Sequence, residues 1–301
     1  MMLEITPLDC SLGARVTGVP PALQLTGAEW QEIEDAFHRH AALVFPALHL
    51  SDDEHIAFAE HFGAIEFLRD GQKVVRISNL KPDGTVMDSE EKRYQTLRGN
   101  EGWHTDSSYM PLAAKASALA AEIVPERGGD TELADMRDAW DTLDDATRGQ
   151  IEGLSAYHSL YASQAKAGFV FRTGDGYGYH TRGAPLRPLV KVHPATGRRS
   201  LFIGRHAFRI PGMEDREAQA LLDRLLEHAC SPPRVYTHRW QPGDLMIWDN
   251  RCVLHRAGAY DYALPRVMRH VRVAGDPEHD LVSTGRDDRA DDFAPAAAAR
   301  G

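Results

Sequence analysis

Trp103-His104-Thr105-Asp106 is the stretch on which the reading of the whole chain turns. In a strand, alternate side chains share a face and sit roughly 6–7 Å apart, so His104 and Asp106 point the same way and one metal ion can take a ligand from each. An imidazole and a carboxylate completed by a distant histidine make a facial set on an octahedral ion, leaving the opposite positions open. That is the arrangement of non-haem Fe(II) oxygenases. The spacing alone decides nothing, because among 15 histidines and 44 acidic residues one H-x-D can arise by chance. Its plainer reading is a strand-end histidine hydrogen-bonded to its neighbour.

Around this stretch lies a chain of 301 residues, 43% hydrophobic and 26% charged, the composition of an ordinary globular protein. No Pro/Gly/Ser linker divides it, which predicts a single domain over 1–275 followed by a polar, alanine-rich tail over 276–301 that is loosely packed. No apolar run approaches a membrane span, and MMLEITPLDC has no basic region ahead of an apolar core, so the expectation is a cytoplasmic protein with no membrane partner. A net charge of −10 argues against a nucleic-acid partner. An acidic protein that handles a small anionic molecule must do so with a few local arginines. Cys10, Cys230 and Cys252 are too few and too irregularly spaced for a disulfide framework or a zinc knuckle.

Residues 3–18 read as an opening strand pair. Thr26 with Glu29, and Ser51 with Glu54, are capping boxes that predict two helices, one placing Trp30, Ile33 and Phe37 on one stripe and the other Ile56, Phe58, Ala59 and Phe62. AALVFPAL, VVRIS and Ala116 to Val124 read as strands. Between VVRIS and the H-x-D stretch, Asn79 to Asn100 shows no periodicity, and a loop of that length is either an active-site lid or a surface insertion. ADMRDAWDTLD, ATRGQIEGL and MEDREAQALLDRLLEHAC are helical, Gly168 to Gly183 is loop, and LRPLVKVHP turns back into SLFIG as a hairpin. RVYTHRW, LMIWDN, CVLHRA and PRVMRHVRVAG close the chain as short strands. Strands at both ends with helices between them predict an α+β fold, mainly β, with a β-sandwich or jelly-roll core.

His255, in CVLHRA, is the candidate third ligand. In the last strand, alternation sends Arg266, Met268, His270 and Arg272 to one face. Burying those cations without anionic partners would be costly, which is a reason to expect bound carboxylates.

Together, H-T-D at 104–106, G-G-D-T at 128–131, W-D-N-R at 248–251, His255, and Arg266 eleven residues beyond it resemble the taurine dioxygenase/2,4-dichlorophenoxyacetate dioxygenase (TauD/TfdA) family. VVRISNLKPDGTV, LADMRDAW, HSLYASQ, PLRPLVKVHPATGRRSLFIGRHAFRIPGM and LPRVM are similar to its branch that cleaves (S)-2-aryloxypropionates. The resemblance implies a double-stranded β-helix core with flanking helices, and an oxidoreductase that uses Fe(II), 2-oxoglutarate and O2. It implies His104, Asp106 and His255 as metal ligands, and Thr131 and Arg266 as holding the distal carboxylate of 2-oxoglutarate, Arg266 as a bidentate donor. For Thr131 the alternative is a turn residue capping Asp130.

The chain departs from the taurine enzyme at His270, where the family carries a second arginine that binds the substrate anion. Either Arg272 or a protonated His270 takes over that role, or Arg272 is simply salt-bridged to an acidic neighbour. Asn100 matches a position that touches substrate, with an ordinary loop asparagine as the alternative. Halogenating relatives in the family carry a small residue in place of this carboxylate, so with Asp106 present the resemblance implies oxygen insertion over halogenation. Hydroxylation beside an ether oxygen gives a hemiketal or hemiacetal that falls apart, so an aryloxypropionate would yield a phenol and pyruvate, with succinate and CO2 from the cosubstrate. Sulfonates, amino-acid derivatives and natural-product intermediates remain open as substrates, as does a non-catalytic, cupin-like metal-binding protein. A homo-oligomer is expected.

Overall fold

The computed structural model describes residues 2–68 and 71–284. The chain opens with β1 (Glu4–Pro7) and β2 (Ala14–Thr17), then α1 (Gly27–His40), β3 (Ala42–Phe45), α2 (Asp52–Glu60) and β4 (Val75–Ser78). Next come α3 (Lys92–Gly99), β5 (Ala114–Ile123), β6 (Thr131–Asp135), α4 (Met136–Asp141), α5 (Asp145–Ile151), β7 (Ser155–His158) and α6 (Leu160–Lys166). The last third carries β8 (Leu186–Pro188), β9 (Val190–Val192), β10 (Arg199–Leu201), β11 (Ala207–Phe208) and α7 (Asp215–Ala229). It ends with β12 (Val235–His238), β13 (Leu245–Asp249), β14 (Val253–Ala257) and β15 (Val267–Ala274).

Both capping boxes form as the sequence predicts. The Thr26 hydroxyl accepts from Glu29 N at 3.3 Å while Thr26 N donates to Glu29 Oε2 at 2.7 Å, and Ser51 and Glu54 repeat the exchange at 3.2 and 2.7 Å. The helices they start cover one face of a seven-stranded sheet ordered β1-β2-β3-β13-β5-β15-β4. Period-two alternation decides what meets them: Ala116, Ala118 and Ala120 of β5, Leu245 and Ile247 of β13, and Val271 and Val273 of β15 pack with Ile33, Phe37, Phe58 and Phe62. Each such valine, leucine, isoleucine or phenylalanine, fully buried, stabilises the fold by about 1.5–3 kcal/mol.

The alternate residues face the other way. Leu119, Met246, Trp248 and Met268 meet Leu133 and Val253 of a three-stranded sheet ordered β12-β6-β14. The outer side of that second sheet is closed by α4 and α7, with Met136, Trp140, Leu221, Leu222 and Leu225 packed around Leu254. The molecule is thus a mixed α and β fold in which these two sheets face each other with helices outside both, and two smaller sheets, β11-β7-β8 and β9-β10, complete it.

Four expectations are corrected. His104 and Asp106 do not lie in a strand: His104 makes a single antiparallel bridge with His255, and the chain turns at Asp106. The segment 79–100 is not all loop, because α3 occupies its end. Its sequence, KRYQTLRG, hides this since only Leu97 and Gly99 are buried. LRPLVKVHP is not one strand, as β8 pairs with β7 whereas β9 forms the hairpin with β10. The tail is packed where it is described: Asp280 is fully buried, and Leu281 and Thr284 bridge to Leu112 and Pro185. The remainder of the tail call, 285–301, lies outside the described residues.

Candidate active site

The backbone exchange between His104 and His255 builds the site. His104 N donates to His255 O at 2.9 Å and His255 N donates to His104 O at 2.7 Å, which sets the two rings 4.1 Å apart. Asp106 is brought in by the chain turn and held by the W-D-N-R segment. Its N donates to Asn250 Oδ1 at 3.3 Å, the Thr105 hydroxyl donates to Asn250 O at 2.7 Å, and Asn250 Nδ2 donates to Ser117 Oγ at 2.9 Å. Ser117 in turn donates to Asp106 Oδ2 at 2.6 Å. The other two charges of the segment serve the scaffold: Arg251 pairs with Asp249 at 2.7 Å, and His193 donates to the same carboxylate.

His104, Asp106 and His255 each offer a ligand atom within 4.8 Å of the others, and all three are buried. The donor chemistry suits a divalent cation. His104 Nδ1 lies 2.7 Å from Gly102 O, a group that only accepts, so Nδ1 carries the hydrogen and Nε2 keeps its lone pair for a metal. His255 Nδ1 is buried without a partner, while its Nε2 lies 3.8 Å from Asp106 Oδ2.

Burial pushes His104 down to about 4 against the opposing pull of Asp106, and it holds His255 well below the usual imidazole range. Both rings are therefore neutral at pH 7, the form that binds metal. Burial would raise the Asp106 carboxyl, but the Arg272 guanidinium beside it overcomes this and keeps the group ionised.

These three residues sit at the wall of a cavity of about 430 Å³. Thr131, Arg266, Asn100, His270 and Arg272 line the same cavity, so the structure brings every sequence-nominated residue together. They differ in what they already hold. Thr131, buried in β6 rather than capping a turn, accepts from Trp240 Nε1 at 2.9 Å. Arg266 donates to Gly129 O from Nε at 3.1 Å and from Nη2 at 2.8 Å, and among the described residues no carboxylate pairs with it. Gly129 has φ +70°, and a Cβ there would lie 2.9 Å from Arg266 Nε, so this approach requires glycine.

Arg272 is salt-bridged to Asp106 at 2.8 Å, one of the alternatives the sequence left open. His270 lies 3.5 Å from Asp106 Oδ2, and burial pushes it down to about 4, which leaves it neutral at pH 7 rather than a protonated anion ligand. Asn100 caps α3 and its carbonyl accepts from Ala257 N at 2.9 Å.

Sequence reasoning missed Arg205. It lines the cavity beside His206 and donates only to neutral acceptors, Ser163 O at 2.8 Å and Gln164 Oε1 at 3.2 Å. Among the described residues no carboxylate pairs with it, and burial lowers it to about 10. The only signal was its place directly after SLFIG; nothing in the local pattern turns that position inward. The aromatic wall formed by Tyr109, Phe171, Tyr177 and Tyr179, the last three from the 168–183 loop, was equally hidden.

The family model described as "Taurine catabolism dioxygenase TauD, TfdA family" matches residues 4–274. The chain is 50% identical over 283 residues to an (S)-phenoxypropionate/alpha-ketoglutarate-dioxygenase of Delftia acidovorans, covering 92% of this chain and 96% of that protein. It is 48% identical over 280 residues to the protein of the same name from Sphingobium herbicidovorans, covering 91% and 96%. A crystal structure of AAD-2 in complex with Mn(II) and N-oxalylglycine superposes with a TM-score of 0.86 at 38% identity, covering 94% of this chain and 100% of that one.

Proposed function

Because the chain belongs to the TauD/TfdA dioxygenase family, we propose that it oxidises a small aryloxyalkanoate carboxylate at the carbon bearing the ether oxygen, using Fe(II), 2-oxoglutarate and O2. The product collapses to a phenol and a keto acid. The observation that carries this reading is the convergence of His104, Asp106 and His255 on the wall of a cavity that also holds two arginines, Arg205 and Arg266, without carboxylate partners among the described residues. The two facing sheets are read as a double-stranded β-helix, or jelly roll, within a single domain to which residues 276–284 also pack.

His104, Asp106 and His255 would hold the iron, which with 2-oxoglutarate and O2 supplies C–H oxidation coupled to release of succinate and CO2. The protein's own work is placement. Arg266 keeps donor capacity beyond its contact with Gly129 O, and Thr131 accepts from Trp240 and so has its O–H to give. Both fit one carboxylate of a dicarboxylic keto acid. Arg205 is the anchor for the substrate carboxylate, a role assigned here in preference to His270 and Arg272, since one is neutral and the other already paired. Asn100 contributes a wall of the substrate space beside Arg205. Tyr109, Phe171 and Tyr179 offer ring faces to an aryl group, which favours an aryloxy acid over a small aliphatic sulfonate.

The test is anaerobic addition of Fe(II) and 2-oxoglutarate, expected to give a visible metal-to-ligand charge-transfer band, followed by succinate release across a panel of carboxylates and sulfonates. Folded protein with no band removes the dioxygenase reading. Turnover of an aliphatic sulfonate beside inert aryloxypropionates removes the substrate class.

A further inference from the structure

Arg272 is the cavity arginine whose charge is already committed. Its Nη2 donates to Asp106 Oδ1 at 2.8 Å, its Nη1 donates to Ser107 Oγ at 2.9 Å, and its Nε lies 3.8 Å from Glu66 Oε2. Ser107 passes the contact on, since its hydroxyl lies 2.9 Å from each oxygen of Glu66 and donates there. A third group reaches the same carboxylate from the 168–183 loop: the Tyr177 hydroxyl donates to Glu66 Oε1, and the Arg272 guanidinium carbon stands 5.7 Å from the centre of the Tyr177 ring.

The two oxygens of Asp106 therefore live in different surroundings. Oδ1 belongs to Arg272, whereas Oδ2 takes the Ser117 hydroxyl at 2.6 Å and faces the imidazoles of His255 at 3.8 Å and His270 at 3.5 Å. A carboxylate free to rotate could offer a metal both oxygens and fill a vertex that an octahedral oxygenase centre needs open. One whose outer oxygen is held by a guanidinium offers only the inner one. The guanidinium in turn has its position fixed by Glu66 and Ser107, and Tyr177 ties Glu66 to the loop that walls the cavity. That loop is linked to α3 through the Lys92–Asp175 pair at 2.5 Å.

We propose that Glu66 and Tyr177 are positioning residues for the metal carboxylate: they fix Arg272 so that Asp106 presents Oδ2 alone, and they make that pose depend on the 168–183 loop lying over the cavity. The proposal rests on Asp106 being a metal ligand. Its consequence is a link between substrate enclosure and metal geometry that uses no residue touching the metal except Asp106.

The experiment titrates metal-free protein with Mn(II) and records the anaerobic Fe(II) and 2-oxoglutarate band for wild type, Glu66→Gln, Tyr177→Phe and Asp106→Ala, with thermal midpoints as the folding control. Glu66→Gln is expected to weaken Mn(II) by about tenfold, in line with other partners that orient a metal ligand, and to shift the band. Tyr177→Phe is expected to shift the band in the same direction and to raise the succinate formed per substrate oxidised, with an unchanged thermal midpoint. A purely structural role would move the midpoints and leave the band where it is. If Glu66→Gln fails to fold, Tyr177→Phe decides alone. Wild-type bands in the folded variants overturn the proposal, whereas wild-type Mn(II) affinity in Asp106→Ala overturns the site reading beneath it.

Discussion

Two arginines at opposite ends of one strand face make different use of the same charge. Arg266, just before β15, is buried against a carbonyl and has no carboxylate partner among the described residues. Arg272, near the end of β15, is buried between Asp106 and Glu66. Burial depresses Arg266, while at Arg272 the same burial is overcome by Asp106 and Glu66 and its affinity for the proton rises. A buried cation with neutralising carboxylates is part of the framework, whereas one without them keeps its charge uncommitted, as the proposed cosubstrate role of Arg266 requires.

The sharpest way to break this contrast is Arg272→Ala. Removing one partner of a buried ion pair leaves Asp106 and Glu66 uncompensated, and the expected loss is about 3–5 kcal/mol in urea unfolding of the metal-free protein. A loss below about 1 kcal/mol would mean that the pair is not structural. Arg266→Ala should do the opposite, leaving stability close to wild type and weakening 2-oxoglutarate by roughly 10- to 150-fold, the worth of a charge-assisted hydrogen bond of about 1.5–3 kcal/mol. Titration of the charge-transfer band checks this, and unchanged cosubstrate affinity refutes the assignment.

The back of the same strand supplies a pH test. His55, on α2, is pushed down to about 3 by burial, with Arg269 and His270 adding to the effect. Its folded-state value lies below the ordinary 6.5, so the stability it contributes is full above about pH 6.5 and is lost as pH falls toward 3. His55→Leu should reduce the fall in unfolding free energy between pH 7 and 5, to which buried His104, His255 and His270 also contribute, and an unaltered slope would show that His55 has no part in it. The smallest effect is expected at the cavity rim. Lys92→Ala removes a half-exposed ion pair with Asp175 and should cost less than about 1 kcal/mol in unfolding free energy.

Legibility followed the range of the interactions. The capping boxes, the β9–β10 hairpin and the alternation of β15 are local, and the sequence states them outright. β6 was masked because Asp135 both ends the strand and caps α4, accepting from Arg137 N and Asp138 N, so a helical pattern runs into it without a break. Arg205 and Glu66 were invisible for another reason. Their importance depends on which charges stand opposite them, and those lie far away in the chain.

The candidates at 104, 106, 255, 131 and 266 could be picked from the chain's own text, because the metal and carboxylate chemistry proposed for them admits few side chains and their order survives as a pattern. Which arginine is neutralised and which is left without a carboxylate among the described residues was decided only when folding set Asp106 and Glu66 beside Arg272 and placed a bare carbonyl beside Arg266. Charge compensation is a property of distances in space, and residues 66, 106 and 272 become neighbours only across the folded sheet.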